Sequence, residues 1–191
     1  MRTKNDIINL PNPNLRKISK RVGLVTDEIK QLVKDMENVT LDWEDSRPHE
    51  FGIALAAIQI DELLRVVVVR NDFDNKKDRG FTAFINPVIV KKEGEIEEDY
   101  EGCLSVKDVY GLVPRYTKVK VKALDLDGKE FRVTAEGFLA RVFQHEVDHT
   151  KGIVFVDHII DDPDAFYQLV ENGKLEKLDY EQVKKTNIFR N

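Results

Sequence analysis

The sequence predicts an α+β fold in which antiparallel sheets pack around one long internal helix, with another helix near the N-terminus. Three observations predict it: an amphipathic segment at 26–39, several strand-like segments between 63 and 133, and a segment of helical period after them. Strands that precede a helix, instead of alternating with helices, favour antiparallel pairing. The 191 residues and 41% hydrophobic content suffice for one substantial core, so we predict a single domain over 1–191.

The first element is predicted from "TDEIKQLVKDMENV" at 26–39, which has acidic residues in its first turn. Its apolar residues recur at helical spacing: Ile29, Leu32, Val33 and Met36. The next stretch, "DWEDSRPHE" at 42–50, is polar and contains Pro48, so we predict a surface loop there.

The strands are predicted between this loop and the internal helix. "LLRVVVV" at 63–69 is apolar enough for a buried strand, and "NDFDNKKDRG" at 71–80 is expected to form a charged loop. "FTAFINPVIVKKEGEIEEDY" at 81–100 predicts strand segments, broken by Asn86 with its following proline and by a turn near Gly94.

A hairpin is predicted from "KVKVKAL" at 118–124, in which lysines alternate strictly with smaller apolar residues. The residues expected to face the core are Val119, Val121 and Ala123. "DLDG" at 125–128 then supplies a turn into "KEFRV" at 129–133. At the other end of the chain, the segment of about 170–191 is expected to form a helix or a tail, and more specifically a solvated surface segment.

The internal helix carries the chemical motif "FQHEVDHTKG" at 143–152. Positions i and i+4 of a helix lie on one face, so His145 and His149 can hold one metal ion while Glu146 reaches a water bound beside it. This is the geometry of a hydrolytic zinc or iron site. The alternative is a pair of histidines that are solvated on a surface helix or satisfied within the core.

The residues before the motif favour the metal interpretation. Phe138, Leu139 and Val142 form an apolar stripe that continues into the histidines, so the histidine and glutamate face is expected to point inward. Buried polar groups of this kind need partners, which a metal ion would supply. Thr134 is the predicted N-cap of the helix, and Gly152 stands where the helix is expected to end.

The third ligand has two candidates from the residues alone. The longer metallopeptidase motif H-E-x-x-H-x-x-G-x-x-H fails because residue 155 is phenylalanine. His158 lies nine residues beyond His149, and the single cysteine, Cys103, follows Gly102 in "YEGCLSV". A lone cysteine is more often a small buried hydrophobe, but the neighbouring glycine would allow close approach of a bound group.

Composition excludes several classes of function. The 30 basic and 35 acidic residues give a net charge of −5 without a dense basic stripe, so we expect no nucleic-acid specificity. The sequence contains no run of about 18 apolar residues, so no membrane span is predicted. Because no signal-like apolar block follows the start either, we expect a soluble chain without a membrane partner. A lone cysteine excludes an internal disulfide and fits a reducing compartment, so we expect the chain to be cytoplasmic.

Three motifs, taken in order, resemble those of the peptide deformylases, which remove the formyl group from the N-terminal formyl-methionine of newly made proteins. They are "GIALAAIQ" (52–59), "EGCLS" (101–105) and "QHEVDHTKG" (144–152). Supporting matches are "LPNPNLR" near the start, "INP" (85–87) and "VPR" (113–115). The resemblance covers roughly residues 7–160 and implies a single deformylase-like catalytic domain.

This resemblance implies that Cys103, His145 and His149 hold one divalent metal ion, with a water in the fourth position and His158 in a structural role. The implied ion is Fe(2+), for which Zn(2+), Ni(2+) or Co(2+) can substitute. Glu146 would take a proton from water and later deliver it to the departing amine.

The remaining site residues are also implied by the resemblance. The Gln59 side-chain amide and the Leu104 backbone N–H are expected to meet the developing oxyanion. An extended nascent peptide, met near the ribosomal exit, is expected to bind as an added strand. The expected substrate-binding residues are Gly52, Ile53, Ala54, Leu55, Gly102, Phe138, Arg141 and Val142. The last three would line the methionine pocket, the arginine through its aliphatic stem.

The chain departs from the usual deformylase pattern at several positions. Ala54 stands at the usual second glycine of the first motif, Ile58 at a frequent proline, and Lys107 at a common proline after the second motif. The added methyl group of Ala54 is expected to narrow the peptide cleft or to restrict its backbone. The polar segment at 42–50 is also longer than in compact bacterial deformylases.

Two other classes of protein share part of this pattern. A zinc endopeptidase would have the helix motif but would take a downstream third ligand, and Phe155 counts against it. A catalytically silent, deformylase-like binding protein would be expected to lose Glu146 or Gln59, and both are present.

Overall fold

The computed structural model describes residues 2–47, 49–170 and 173–189; Met1, Pro48, Glu171, Asn172, Arg190 and Asn191 lie outside it. The helices are α1 (Asp27–Asp45), α2 (Gly137–His149) and α3 (Tyr180–Lys184). The strands are β1 (Ala54–Ala56), β2 (Val66–Arg70), β3 (Phe81–Cys103), β4 (Val106–Leu124), β5 (Glu130–Glu136), β6 (Phe166–Leu169) and β7 (Leu175–Lys177). Neighbouring strands pair antiparallel in the order β1-β2-β3-β4-β6-β7, and β5 pairs with β4. The predicted α+β class with an antiparallel sheet is confirmed.

Helix α1 packs its apolar face against β1 and β2. The helix continues to Asp45, so the prediction of a loop from residue 42 is wrong for its first four residues. The reason is Glu44, which is only 6% exposed because its carboxylate accepts hydrogen bonds from the Arg70 guanidinium and the Gly52 N–H. One partner of a buried ion pair therefore lies in a stretch whose sequence looks uniformly polar. Pro48, which suggested the loop, lies outside the described residues.

Strand β2 confirms the predicted buried strand, since Val66 to Val69 are all at most 3% exposed. The predicted charged loop at 71–80 indeed lies between β2 and β3. The breaks predicted within 81–100 are absent, because β3 continues through both as one strand. Its pairing register with β4 instead shifts at these two points, where Asn86 and Gly94 have φ of 55° and 78°. Bulges thus absorb the unusual backbone without ending the strand.

The hairpin of β4 and β5 has the predicted turn. The predicted core residues Val119, Val121 and Ala123 are at most 3% exposed. Strand β5 extends to Glu136, however, and Thr134 pairs with Lys120 within it. The predicted N-cap at Thr134 is therefore wrong, because strand pairing continues until Gly137, whose φ of 54° starts the turn into α2.

Helix α2 contacts β1, β3, β4 and β5. Its buried side chains include Ala140, Phe143 and Val147, and the Phe143 ring packs edge-on against Phe84 with centroids 4.8 Å apart. Gly152 follows the helix with φ of 71°, and a Cβ atom there would approach the Arg16 carbonyl oxygen to 2.4 Å. This close contact fixes the chain just after the metal motif, as the sequence predicted for a helix end at that glycine.

Most of the described residues from 173 to 189 are exposed and they include the short helix α3, but two of their apolar side chains are buried. Strand β6 pairs with β4 and β7, and Phe166, Val183 and Ile188 are buried in one apolar cluster with Val113 and Phe155. The packing of these residues could not be predicted from the sequence, because only a few apolar residues interrupt the charged segment. Among the described helices, none combines the length and apolar character needed to cross a membrane.

Candidate metal centre

Two elements bring the predicted metal ligands together. Helix α2 places His145 and His149 one turn apart, and the end of β3 places Cys103 against them. The Cys103 Sγ lies 3.3 Å from His149 Nε2, which lies 3.2 Å from His145 Nε2. All three ligand atoms lie within 4.8 Å of one another. One thiolate and two imidazoles form a donor set suited to a borderline-soft divalent ion.

The ring of His145 is oriented by a buried carboxylate. Glu101 Oε2 accepts a hydrogen bond from His145 Nδ1 at 2.9 Å, which leaves Nε2 directed toward the other ligand atoms. Glu101 also accepts from Arg115 Nε at 2.9 Å and from Arg141 Nη1 at 3.0 Å. Burial raises the pKa of Glu101, but hydrogen bonds from His145 and Arg115 outweigh it and hold the pKa far below its usual value. The carboxylate therefore stays charged beside the ligand.

Glu146 has the surroundings expected of a proton-transfer group. It is only 4% exposed, and its Oε2 atom has no hydrogen-bond partner among the described residues. Burial raises the pKa of Glu146 to about 7, against the lowering effect of the His145 charge. An unpartnered buried carboxylate oxygen beside a Cys/His/His cluster fits a site that takes a metal ion and a polar substrate.

Gln59 is fixed by its own turn. The Ala56 N–H donates to Gln59 Oε1 at 2.8 Å, so the amide nitrogen is directed to the other side. This Nε2 lies 3.5 Å from Cys103 Sγ and 3.3 Å from Ser105 Oγ. The side-chain amide is thus buried beside the candidate ligand with its donor group aimed at it.

A cavity of about 420 Å³ opens onto these residues. Its lining includes the predicted residues Gln59, Cys103, Leu104, His145, Glu146, Ile53, Ala54, Gly102, Phe138, Arg141 and Val142. Gly52 and Leu55 are not among the lining residues. Leu55 is fully buried in the core beneath β1, and Gly52 packs against Thr40 of α1.

Arg141 and Val142 have structural contacts in addition to the cavity. The Arg141 guanidinium donates to the Val113 carbonyl at 2.6 Å and to the Glu97 carbonyl at 2.8 Å. Val142 belongs to a buried apolar cluster. Phe138 is 44% exposed, and its ring meets Phe73 edge-on. Phe138 is thus the most accessible of the three predicted methionine-pocket residues.

His158 lies apart from the three-residue cluster. Its Nε2 is 2.8 Å from Asp148 Oδ2 and 3.2 Å from Arg115 Nη1. Burial raises the pKa of Asp148, but hydrogen bonds with His158 and Arg115 lower it to about 2. The residue that replaces the downstream histidine of the longer motif, Phe155, stacks beside the His145 ring.

Several residues around the site were not predicted from the sequence. Glu101 is the first residue of the motif "EGCLS" and has no predicted role there, yet it lies two residues before Cys103 and therefore on the same face of β3. That alternation is a signal that could have identified it. Other unpredicted lining residues come from distant segments: Trp43, Arg47, His49, Glu50, Phe51 and Tyr110.

The fold and the centre define a class: an α+β protein whose helix and strand bring a cysteine and two histidines together beside a buried glutamate, as in metal-dependent hydrolases. The profile of the polypeptide deformylase family matches residues 4–164. This match covers most of the chain, so the chain belongs to the peptide deformylase family, whose members are metallohydrolases that remove a formyl group.

Individual relatives agree with this assignment. The chain is 45% identical to the peptide deformylase of Thermomicrobium roseum, across 81% of this chain and 85% of that protein. It is 43% identical to a Rhodopseudomonas palustris peptide deformylase with the same coverage. The crystal structure of a Legionella pneumophila peptide deformylase is similar with a TM-score of 0.69 and 42% identity, across 80% of this chain and 83% of that one. The crystal structure of a Synechococcus elongatus peptide deformylase in complex with actinonin is similar with a TM-score of 0.70 and 35% identity, across 80% of this chain and 78% of that one.

Proposed function

We propose that this deformylase removes the formyl group from the N-terminal formyl-methionine of nascent polypeptides, with Cys103, His145 and His149 holding one divalent metal ion. The proposed physiological ion is Fe(2+), with Zn(2+), Ni(2+) or Co(2+) as substitutes. The observation that carries the proposal is the convergence of one sulfur and two imidazole nitrogens beside the buried, unpartnered carboxylate of Glu146. The family assignment supports the same reaction.

The chemistry follows from the residues around the centre. A bound divalent ion lowers the pKa of water and polarises a carbonyl, which a formamide requires because it is a poor electrophile. Glu146 takes the proton of the attacking water and delivers it to the departing amine. Gln59 Nε2 and the Leu104 N–H are the proposed donors to the developing oxyanion.

The cavity supports the proposed placement of the substrate. Ile53, Ala54 and Gly102 lie along it, where an extended peptide would bind as an added strand through its backbone. Phe138, Val142 and the stem of Arg141 are the proposed contacts of the methionine side chain. Gly52 and Leu55 do not line the cavity, and they would support this surface from the side of the core. We further propose that actinonin, present in the Synechococcus elongatus structure, occupies the same cavity.

The remaining proposals concern where the reaction takes place. We propose that the chain acts in the cytoplasm and meets formylated N-termini near the ribosomal exit. The formylated N-terminus is its proposed partner, without a preference for nucleic-acid sequence. The net charge of −5 disfavours binding to a nucleic-acid backbone.

The test compares two peptides with the purified, metal-loaded protein. One is a formyl-Met tripeptide, and the other is a longer unformylated peptide. We expect formate release from the first and no cleavage of the second. Internal cleavage of the longer peptide would support the zinc endopeptidase alternative, and binding without formate release would support the catalytically silent one.

A further inference from the structure

The segment between α1 and β1 forms one wall of the cavity. Arg47, His49, Glu50 and Phe51 of this segment line the cavity, together with Trp43 near the end of α1. The Tyr110 hydroxyl donates to Glu50 Oε2 at 2.5 Å, which joins this wall to β4, whose Tyr110 also lines the cavity. The segment that the sequence marks as unusually long therefore belongs to the substrate cleft and is not a peripheral loop.

A buried ion pair lies directly behind this wall. Arg70 Nη1 donates to Glu44 Oε2 at 2.6 Å, with side-chain exposures of 0% and 6%. The guanidinium also donates to the carbonyls of Asp78 and Lys76, and it lies over the Phe51 ring with 4.2 Å to the centroid. Such a pair is costly to desolvate and contributes little net stability in many proteins. The contacts of this pair with the neighbouring backbone point to another role.

Glu44 and Arg70 hold the backbone in place at residues 52 and 53, where the proposed peptide-binding edge begins. Gly52 N–H donates to the same Glu44 oxygen at 2.9 Å, and Arg70 Nη1 lies 3.5 Å from the Gly52 carbonyl. The Arg70 backbone N–H donates to the Ile53 carbonyl at 2.8 Å. A Cβ atom on Gly52 would lie 2.8 Å from Thr40 Cγ2, so the glycine is pressed against α1. Four contacts, two of them from Arg70, thus hold residues 52–53 in place.

This edge is the part of the cleft that a peptide backbone would use. Strand β1 is the terminal strand of the sheet, and Ile53 and Ala54 line the cavity. A short terminal strand of three residues has few ladder bonds of its own to hold its position. A peptide that adds to such an edge binds through main-chain groups, so its affinity depends on how well that edge is held.

We propose that Glu44 and Arg70 are positioning residues that hold the 52–54 edge in the geometry that binds the substrate backbone beyond the formyl-methionine. The inference rests on the proposed function. It assigns Glu44 of α1 and Arg70 of β2 a role in recognition of the peptide, separate from the metal chemistry.

The first experiment measures KM and kcat of Glu44→Met with two substrates, formyl-methionine alone and a formyl-Met tripeptide. We expect KM for the tripeptide to rise about tenfold, because the charge-assisted hydrogen bond that Glu44 accepts from the Gly52 N–H is lost. The kcat should stay within about twofold of the wild-type value. KM for formyl-methionine and the metal content should stay near wild type. An unchanged tripeptide KM in the folded variant would overturn the proposal.

Two further variants separate positioning from stability. Asp45→Asn breaks the neighbouring exposed ion pair with Arg79 without touching Gly52, and it should leave both KM values unchanged. In Glu44→Met with Arg70→Met, both buried charges are gone, so the fold should be retained even if the single variant is unstable. The raised tripeptide KM should persist in this double variant. Its return to the wild-type value would show that the pair acts only through stability.

Hydrogen exchange of the Gly52 amide supplies a readout that does not need turnover. The amide should be protected in the wild type and in Asp45→Asn, and it should exchange faster in Glu44→Met and in the double variant. Undiminished protection in the folded double variant would overturn the proposal. Absence of formate release by the wild type would instead contradict the proposed function. The exchange result does not depend on turnover, so the two failures can be distinguished.

Discussion

The proposed metal end of the cavity and its proposed peptide-binding wall are held in different ways. At the metal end, candidate ligands from α2 and β3 lie next to one another, and one buried carboxylate, Glu101, links His145 to two arginines. At the wall, a backbone edge is held by Glu44 and Arg70, neither of which lines the cavity. The first region depends on residues that meet the reactants, and the second depends on residues behind the surface. Changes in the first should abolish chemistry, and changes in the second should alter binding.

The largest effect is expected from Glu146→Gln. The amide keeps the shape but cannot shuttle protons, so turnover should fall by about 10² to 10⁴-fold. Metal content should remain at the wild-type level, because Glu146 is not a proposed ligand. Metal analysis and formate release on the same sample check both statements. Full activity would remove Glu146 from the mechanism.

Glu101→Gln tests the support behind the metal end. The neutral amide would orient His145 less firmly and would leave Arg115 and Arg141 without their shared charge partner. We expect metal affinity to fall by about 10 to 100-fold, as for other residues that orient a ligand. Titration with a competing chelator measures it, and Asp99→Asn on the same strand serves as an exposed control. Wild-type affinity would mean that the helix alone orients the ring.

The pH dependence of stability tests the burial of Glu146 in metal-free protein. Its pKa of about 7 exceeds the usual 4.5, so the folded state favours the neutral form. The unfolded chain ionises first, and stability is therefore lost as pH rises from 4.5 to 7. Relative to Glu146→Gln, the wild type should lose on the order of 3 kcal/mol across this window. Denaturant unfolding of both proteins gives the difference, and a constant difference would contradict the burial effect.

The smallest effect is expected at the rim of the methionine pocket. Phe138→Ala removes a half-exposed ring, so we expect KM for formyl-methionine peptides to rise about threefold with little loss of stability. Val90→Ala, at a similarly exposed position on β3 outside the cavity lining, is the matched control. Equal KM values for both variants would place the methionine side chain elsewhere.

The same contrast explains how much the sequence could predict. His145 and His149 could be predicted as candidate ligands because helical spacing puts them on one face, whereas the choice of Cys103 over His158 needed the resemblance to the deformylases. The alternating hairpin and β2 could also be predicted from their period. The Glu44–Arg70 pair could not, because nothing local distinguishes a glutamate that will meet an arginine 26 residues away from one that stays in water.

The errors at element boundaries have a similar cause. Thr134 has the side chain of a helix cap, but pairing with β4 keeps it in a strand. Val183 and Ile188 lie in a charged segment, but they pack on a distant apolar cluster. In each case a contact remote in sequence outweighs the local preference.

The central claim is that Cys103, and not His158, completes the metal site. Cys103→Ser retains the shape but replaces a thiolate with a hydroxyl that stays protonated, so metal binding should weaken and most deformylation should be lost while the fold survives. His158→Ala should keep near wild-type metal content, because His158 contacts Asp148 and Arg115 away from the cluster. The decisive measurement is metal analysis of both variants after identical dialysis, with circular dichroism to verify folding. We predict an emptied site in Cys103→Ser alone; an emptied site in His158→Ala with metal retained in Cys103→Ser would contradict the account.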